Sequence, residues 1–304
     1  MENSVNFRTD MADERVDEYK RVNNLTYLDG VEVIQNEKNN ITTTVVKITN
    51  ENGEKSLSKK IGDYITIETK DIKYLEDKEE NELVKIVSDE LKNLIKGKEK
   101  SNEKSNEKSS ILIVGLGNEY ITPDALGPKV VKNINITRHV LNIAGDIANS
   151  NQRSVCAIMP GVLGTTGIET FEIVKSVVDR IKPDIVIAID SLASSSMHRI
   201  GNTIQLSDTG ITPGAGVRNK REGLNYESLN VPVIALGVPT VVDFVTLTNE
   251  AIDKMIDKTA NEIEQIIKIC QENNIPITGS VFKKTAAEIE EIVNVCRENN
   301  IPIT

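Results

Sequence analysis

The sequence predicts an α/β fold: a doubly wound, mostly parallel sheet flanked by helices, with a small antiparallel β unit near the N-terminus and a helical repeat at the C-terminus. Three observations carry this expectation. Apolar runs at 111–115, 154–158, 184–189, 202–206 and 232–236 alternate with helical patterns, notably 168–182, where Ile168, Phe171, Val174, Val177 and Val178 share a face. Residues 26–69 instead carry alternating, β-branched stretches. Residues 258–278 recur almost unchanged as 284–304.

Taken in order, residues 1–25 are polar and read as a mobile tail or a docked arm. Val31–Ile34 and Thr42–Thr49 alternate as strands, Asn50–Gly53 supplies a turn, and Tyr64–Thr69 forms a further strand. Residues 78–96 place Leu83, Ile86, Val87, Leu91, Leu94 and Ile95 at helical spacing. Residues 97–110 contain only Gly, Lys, Glu, Ser and Asn, so they offer nothing to a core and read as a disordered surface insertion. An α/β domain is expected to run to about residue 250. Beyond it, each copy of the repeat is an amphipathic helix, with Ile263, Ile266, Ile267 and Cys270 or Ile289, Ile292, Val293 and Cys296 on one face. Two copies are too few for an independent solenoid, so they are expected to pack on the core or to bind a partner.

Bulk properties narrow the function. The chain has 304 residues and a net charge of −10, from 36 basic and 46 acidic side chains. That balance argues against a nucleic-acid surface. The cysteines, Cys156, Cys270 and Cys296, are odd in number and widely spaced, which fits a reduced cytoplasmic setting better than a disulfide framework. Two histidines, His139 and His198, without an HExxH pattern argue against a metal site, and no cofactor is expected. Met1–Ser4 opens no apolar leader, and no segment approaches the ~18 apolar residues of a membrane span, so no membrane association is expected.

The segment Ile111–Pro128 is the richest in chemistry. An apolar strand enters Gly115-Leu116-Gly117-Asn118, and Thr122-Pro123-Asp124 follows as a helix start, with Thr122 as N-cap. A dinucleotide loop requires a third glycine where Tyr120 stands, and there is no GK[ST], so the glycines are read as a tight turn. Asp124 has a simple explanation in the field of a helix N-terminus, which favours acids there, and the same field would keep it ionised as a base. Asp190 ends the strand 184–189 and is either an N-cap or the second acid of a site. Parallel strands bring their carboxyl ends to one edge, where two carboxylates can share a proton and activate water; Asp190 would then hold the proton. The loop 208–216, with Gly214 and Gly216, reads as a surface loop or as a cleft wall offering main-chain amides to a substrate carbonyl. Arg199, Arg218, Lys220 and Arg221 are candidate cations for an acidic substrate, against the simpler reading of solvated side chains.

Several segments together resemble the germination protease family of spore-forming bacteria. They are Arg8-Thr-Asp-Met-Ala12, Thr42–Glu68, Gly115–Pro128, Pro160–Thr170, Ile187–Ala193, Ser207–Gly216 and Val231–Asp243. The resemblance implies an atypical aspartic endopeptidase with a fold like that of hydrogenase-maturation proteases. It implies small acid-soluble spore proteins as substrates, cut during germination in the cytoplasm of the spore core. It places catalytic aspartates at Asp124 and Asp190. It also implies a zymogen whose propeptide, residues 1–10, is removed at Asp10–Met11, and a homotetramer. The chain departs from the family's pattern in having Arg218 where glycine is usual, in the insertion at 97–110, and in carrying its repeat where the family has a different C-terminal stretch. Two other classes fit the residues: a metal-dependent maturation peptidase, and a catalytically silent protein that binds through its repeated helices.

Overall fold

The computed structural model describes residues 9–99, 109–144, 152–212 and 222–242, all within the unit Met1–Asp243. The 251–304 repeat, the core of the insertion, and Gly214, Gly216, Arg218, Lys220 and Arg221 lie outside the described residues.

One eight-stranded sheet organises the fold. Its strands are β1 (Val31–Lys38), β2 (Ile41–Ile48), β3 (Gly62–Glu68), β4 (Ile111–Gly115), β5 (Val155–Ile158), β6 (Ile185–Ser194), β7 (Thr203–Ser207) and β8 (Val233–Val242), in the order β1-β2-β3-β7-β8-β6-β4-β5. The pairs β5/β4, β4/β6 and β6/β8 are parallel; β8/β7, β7/β3, β3/β2 and β2/β1 are antiparallel. The fold is thus mixed α/β, half parallel and half antiparallel. It departs in two ways from the expected arrangement. β7 runs against β8, because the short stretch 195–202 that leads into it cannot carry the long crossover a parallel return needs. The expected small β unit is not separate: β3 pairs with β7 and makes β1–β3 the continuation of the same sheet.

Helices cover both faces. Strand alternation sends Ile185, Ile187 and Ile189 to one side and Val186 and Ala188 to the other. On the first side pack α3 (Asp77–Lys98), through Leu83 and Leu94, and α4 (Leu126–Lys132), through Val130 and Val131. On the second pack α7 (Thr170–Ile181), through Val174 and Val178, and α8 (Tyr226–Leu229), through Leu229. Farther along that side, α1 (Ala12–Asn23) and α2 (Glu51–Leu57) close over Val46, Ile48 and Tyr64. The short helices α5 (Arg138–Ala144) and α6 (Leu163–Thr166) lie in connections. Helix α3 spans the stretch read as amphipathic and begins with a capping box between Glu76 and Glu79.

Local details differ from the sequence reading for identifiable reasons. Asn50 opens α2 instead of a turn: its side-chain oxygen accepts from Asn52 N at 2.9 Å and Gly53 N at 3.0 Å, and asparagine suits either role. Residues from Thr9 onward form a docked arm, with Thr9 and Met11 buried. Residues 97–98 extend α3, and the edges of the following low-complexity stretch are tied together: Arg153 Nη1 donates to Glu99 Oε1 at 2.8 Å and to the Ser109 carbonyl at 2.9 Å. Among the described residues, no helix is long and apolar enough to cross a membrane.

Candidate active site

Three parallel strands, β4, β6 and β8, deliver their carboxyl ends to one edge, where a cavity of about 480 Å³ opens. Asp124 and Asp190 both line it. The acids arrive by different routes. β6 does not stop at Asp190, as the sequence reading supposed, but runs on to Ser194 with an irregularity in its pairing between Leu192 and Ala193. Asp190 therefore belongs to a strand, not to a helix cap. It lies opposite Gly237 of β8, is 6% exposed, and accepts a hydrogen bond from Ser191 N at 2.8 Å.

Asp124 is brought back to the sheet by a tight turn. Leu116 N donates to the Ile189 carbonyl at 2.8 Å, which fixes the exit of β4 beside β6. Gly117 then adopts φ +105, and a Cβ there would lie 2.1 Å from the Asp124 carbonyl oxygen. Only glycine admits that approach. Thr122–Asp124 is a 3-10 turn and α4 begins at Leu126, so Thr122 is not the N-cap of a helix. The Asp124 carboxylate turns back to accept from Asn118 N at 2.8 Å. Gly127 packs against the Leu116 main chain and the Ile189 carbonyl, and Thr240 Oγ1 donates to the Pro123 carbonyl at 2.6 Å. Thr240 of β8 thus holds the Asp124 turn directly, while Gly127 seats the helix that follows it against the exit of β4 and Ile189 of β6.

This chain belongs to the germination protease family. The family's model, described as germination protease, matches residues 7–294 and so extends into the second copy of the C-terminal repeat. Curated germination proteases align with it over most of its length. That of Clostridium perfringens is 47% identical over 262 residues, covering 85% of this chain and 77% of the relative. That of Caldanaerobacter subterraneus is 45% identical over 258 residues, covering 85% and 76%. That of Priestia megaterium is 41% identical over 262 residues, covering 85% and 69%. Membership makes the chain a peptidase. The cavity also contains groups to which the sequence reading gave no place in a cleft.

Asp10, expected at the propeptide junction, is one of the cavity's lining residues. Arg15, Lys59 and Gln205 line it as well. The sequence reading left Arg15 in a mobile tail or docked arm and gave Lys59 and Gln205 no part in a site. Burial, with the neighbouring Arg15 guanidinium second, pushes Lys59 down to about 8, while Asp10, Asp13 and Glu14 oppose the shift. Burial also pushes the Tyr64 phenol up to about 12.

Arg199, expected among substrate-binding cations, does not line this cavity. It is already engaged by Asp13 at 2.7 Å, Glu14 at 3.3 Å and Glu68 at 3.6 Å. Its work is structural: with Glu14, which accepts from Ser194 Oγ at 2.6 Å and Ser195 N at 2.8 Å, it fastens the start of α1 to the end of β6. Lys60 lines the cavity but pairs with Glu227. Among the described residues no group of three or more His, Cys, Asp or Glu is placed to hold a metal ion, and His139 and His198 are both exposed.

Proposed function

We propose that this peptidase is an endopeptidase that starts the degradation of small acid-soluble spore proteins at germination, using Asp124 and Asp190 to activate water. The observation that carries the reading is that these two carboxylates, from segments 66 residues apart, line one cavity at the carboxyl edge of parallel strands. Asp124 takes a proton from the attacking water as its oxygen bonds to the substrate carbonyl carbon. Asp190 delivers its proton to the carbonyl oxygen; as the C–N bond breaks, the amine takes the proton that Asp124 received from water, and Asp190 recovers its own from the hydroxyl of the intermediate.

Residues 1–10 act as a propeptide removed at Asp10–Met11. That Asp10 lines the same cavity as Asp124 and Asp190 supports this. The enzyme works in the cytoplasm of the forespore and spore core and assembles as a homotetramer, as expected from its family. The test is incubation of the purified chain with a small acid-soluble spore protein. The wild type cuts it, and Asp124→Asn and Asp190→Asn each slow cleavage by a factor of 10²–10⁴, the range for loss of an acid–base group. Intact substrate with the wild type, or equal rates in all three proteins, refutes the assignment.

A further inference from the structure

The two edges of the sheet are finished differently. At the β5 edge, Thr137 occupies both main-chain groups of Val155: Thr137 N donates to the Val155 carbonyl at 3.0 Å, and Val155 N donates to Thr137 Oγ1 at 2.9 Å. The β1 edge is open. This strand is eight residues long, contains no proline, and is exposed from Glu32 to Lys38, with Val33 at 44% and Ile34 at 46%. A long edge with exposed apolar side chains is a template for a further strand.

The hairpin decides which main-chain groups point outward. Asn39 and Asn40, with φ of 53 and 61, form the two-residue turn between β1 and β2, so Lys38 and Ile41 make a hydrogen-bonded pair. Such pairs alternate along an antiparallel ladder. The far end agrees, since Thr49 N donates to the Gly30 carbonyl at 2.8 Å. Even-numbered residues of β1 therefore bond to β2. Val33, Gln35 and Glu37 turn their N–H and C=O to the free edge, and no group among the described residues bonds to them there.

We propose that this edge pairs with the same edge of a second copy of the chain, antiparallel about a two-fold axis at Gln35. A two-fold pairing sets outward-facing residues opposite one another, and axes at Ile34, Gln35 and Asn36 do this with long overlap. The axis at Gln35 sets Glu32 opposite Lys38 of the second copy, twice, with Val33 opposite Glu37 and Ile34 opposite Asn36. The axis at Ile34 sets Glu32 against Asn36, and the axis at Asn36 sets Lys38 against Ile34, so neither matches these charges. Lys38 already meets Glu82 at 2.6 Å, but its side chain is 66% exposed and its ammonium has three donors, so it accommodates a second carboxylate. The pairing rests on the homo-oligomer reading above and names one of its interfaces; a tetramer requires a second, different contact.

Two experiments on the full-length protein test this. The first compares the wild type with Gln35→Pro by sedimentation velocity. The proline removes an outward N–H and no bond to β2, so the variant folds, as far-UV circular dichroism and the urea midpoint verify. The wild type sediments as a tetramer and Gln35→Pro as a dimer, or with an association constant at least tenfold lower. A folded Gln35→Pro that assembles like the wild type overturns the proposal and leaves the tetramer to other contacts. A wild type that stays monomeric overturns both. The second experiment oxidises co-expressed Ile34→Cys and Asn36→Cys chains. Opposite residues of a non-hydrogen-bonded pair have Cα atoms about 4.5 Å apart, within disulfide reach. The axis at Gln35 links one variant to the other and neither variant to itself. Self-linking of either variant places the axis elsewhere and overturns the charge-set register. No cross-link beyond that of the wild type overturns the pairing.

Discussion

Gly117 and Lys59 show how much of the site rests on single positions. At Gly117, φ +105 and the 2.1 Å approach of the Asp124 carbonyl oxygen to an added Cβ leave a side chain no room. Gly117→Ala is expected to cost about 2 kcal/mol or more of stability and to displace Asp124. The urea midpoint and the rate of protein cleavage fall together; a variant with both unchanged would mean the turn relaxes without moving the acid. Lys59 makes a pH prediction. Its folded value of about 8 lies below the 10.5 of the open chain, so between these values the unfolded state binds more protons. Its destabilising contribution is therefore full below about pH 8 and fades as pH rises toward 10.5. The urea midpoint of the wild type should rise relative to Lys59→Met over that interval. Arg15, Asp10, Asp13 and Glu14 are the charged groups facing it, and only Arg15 acts to lower its value.

At the scale of the element, the sequence was most legible where one physical signal dominated. Helix α3 followed from its apolar spacing, and β4, β5 and β7 from short apolar runs, each within a residue or two. The reading faltered where one residue type serves two structures. Asn50 is as good a helix cap as a turn residue, and only the approach of Asn52 N and Gly53 N to its side chain settles which. Asn50→Ala should lower stability by about 1 kcal/mol, measured by urea denaturation, with cleavage activity kept because α2 contributes little to the cavity. No loss of stability would mean that the rest of the protein, not the cap, holds α2. At Asp190 the apolar run ended before the strand did. A buried strand can carry a carboxylate and serines when neighbouring main-chain and side-chain groups satisfy them, and composition does not reveal those partners.

For the molecule as a whole, strand–helix alternation gave the α/β class and the carboxyl-edge location of the acids. It did not give strand order or direction. Antiparallel pairing of β7 with β3 joins residues more than a hundred positions apart, such as Ile65 with Leu206, and its pairing with β8 joins residues about thirty apart, such as Leu206 with Leu236; no local pattern encodes either. The same distance hid the other groups of the cavity, since Arg15, Lys59, Ala193 and Gln205 come from four separate segments of the chain. The insertion makes a prediction at this scale. Because Arg153 joins Glu99 to Ser109, excision of residues 101–107 should leave the melting temperature and the cleavage rate unchanged. A fall of several degrees would show that the excised stretch supports the fold.

The guanidinium of Arg153 has a practical consequence. With both edges of the seam pinned to one nitrogen, the loop's conformational entropy is largely uncoupled from the sheet. The stretch 101–107 is therefore a natural port for grafting: a fluorescent reporter or affinity module joined there would report on the enzyme during germination, its attachment points fixed by Arg153.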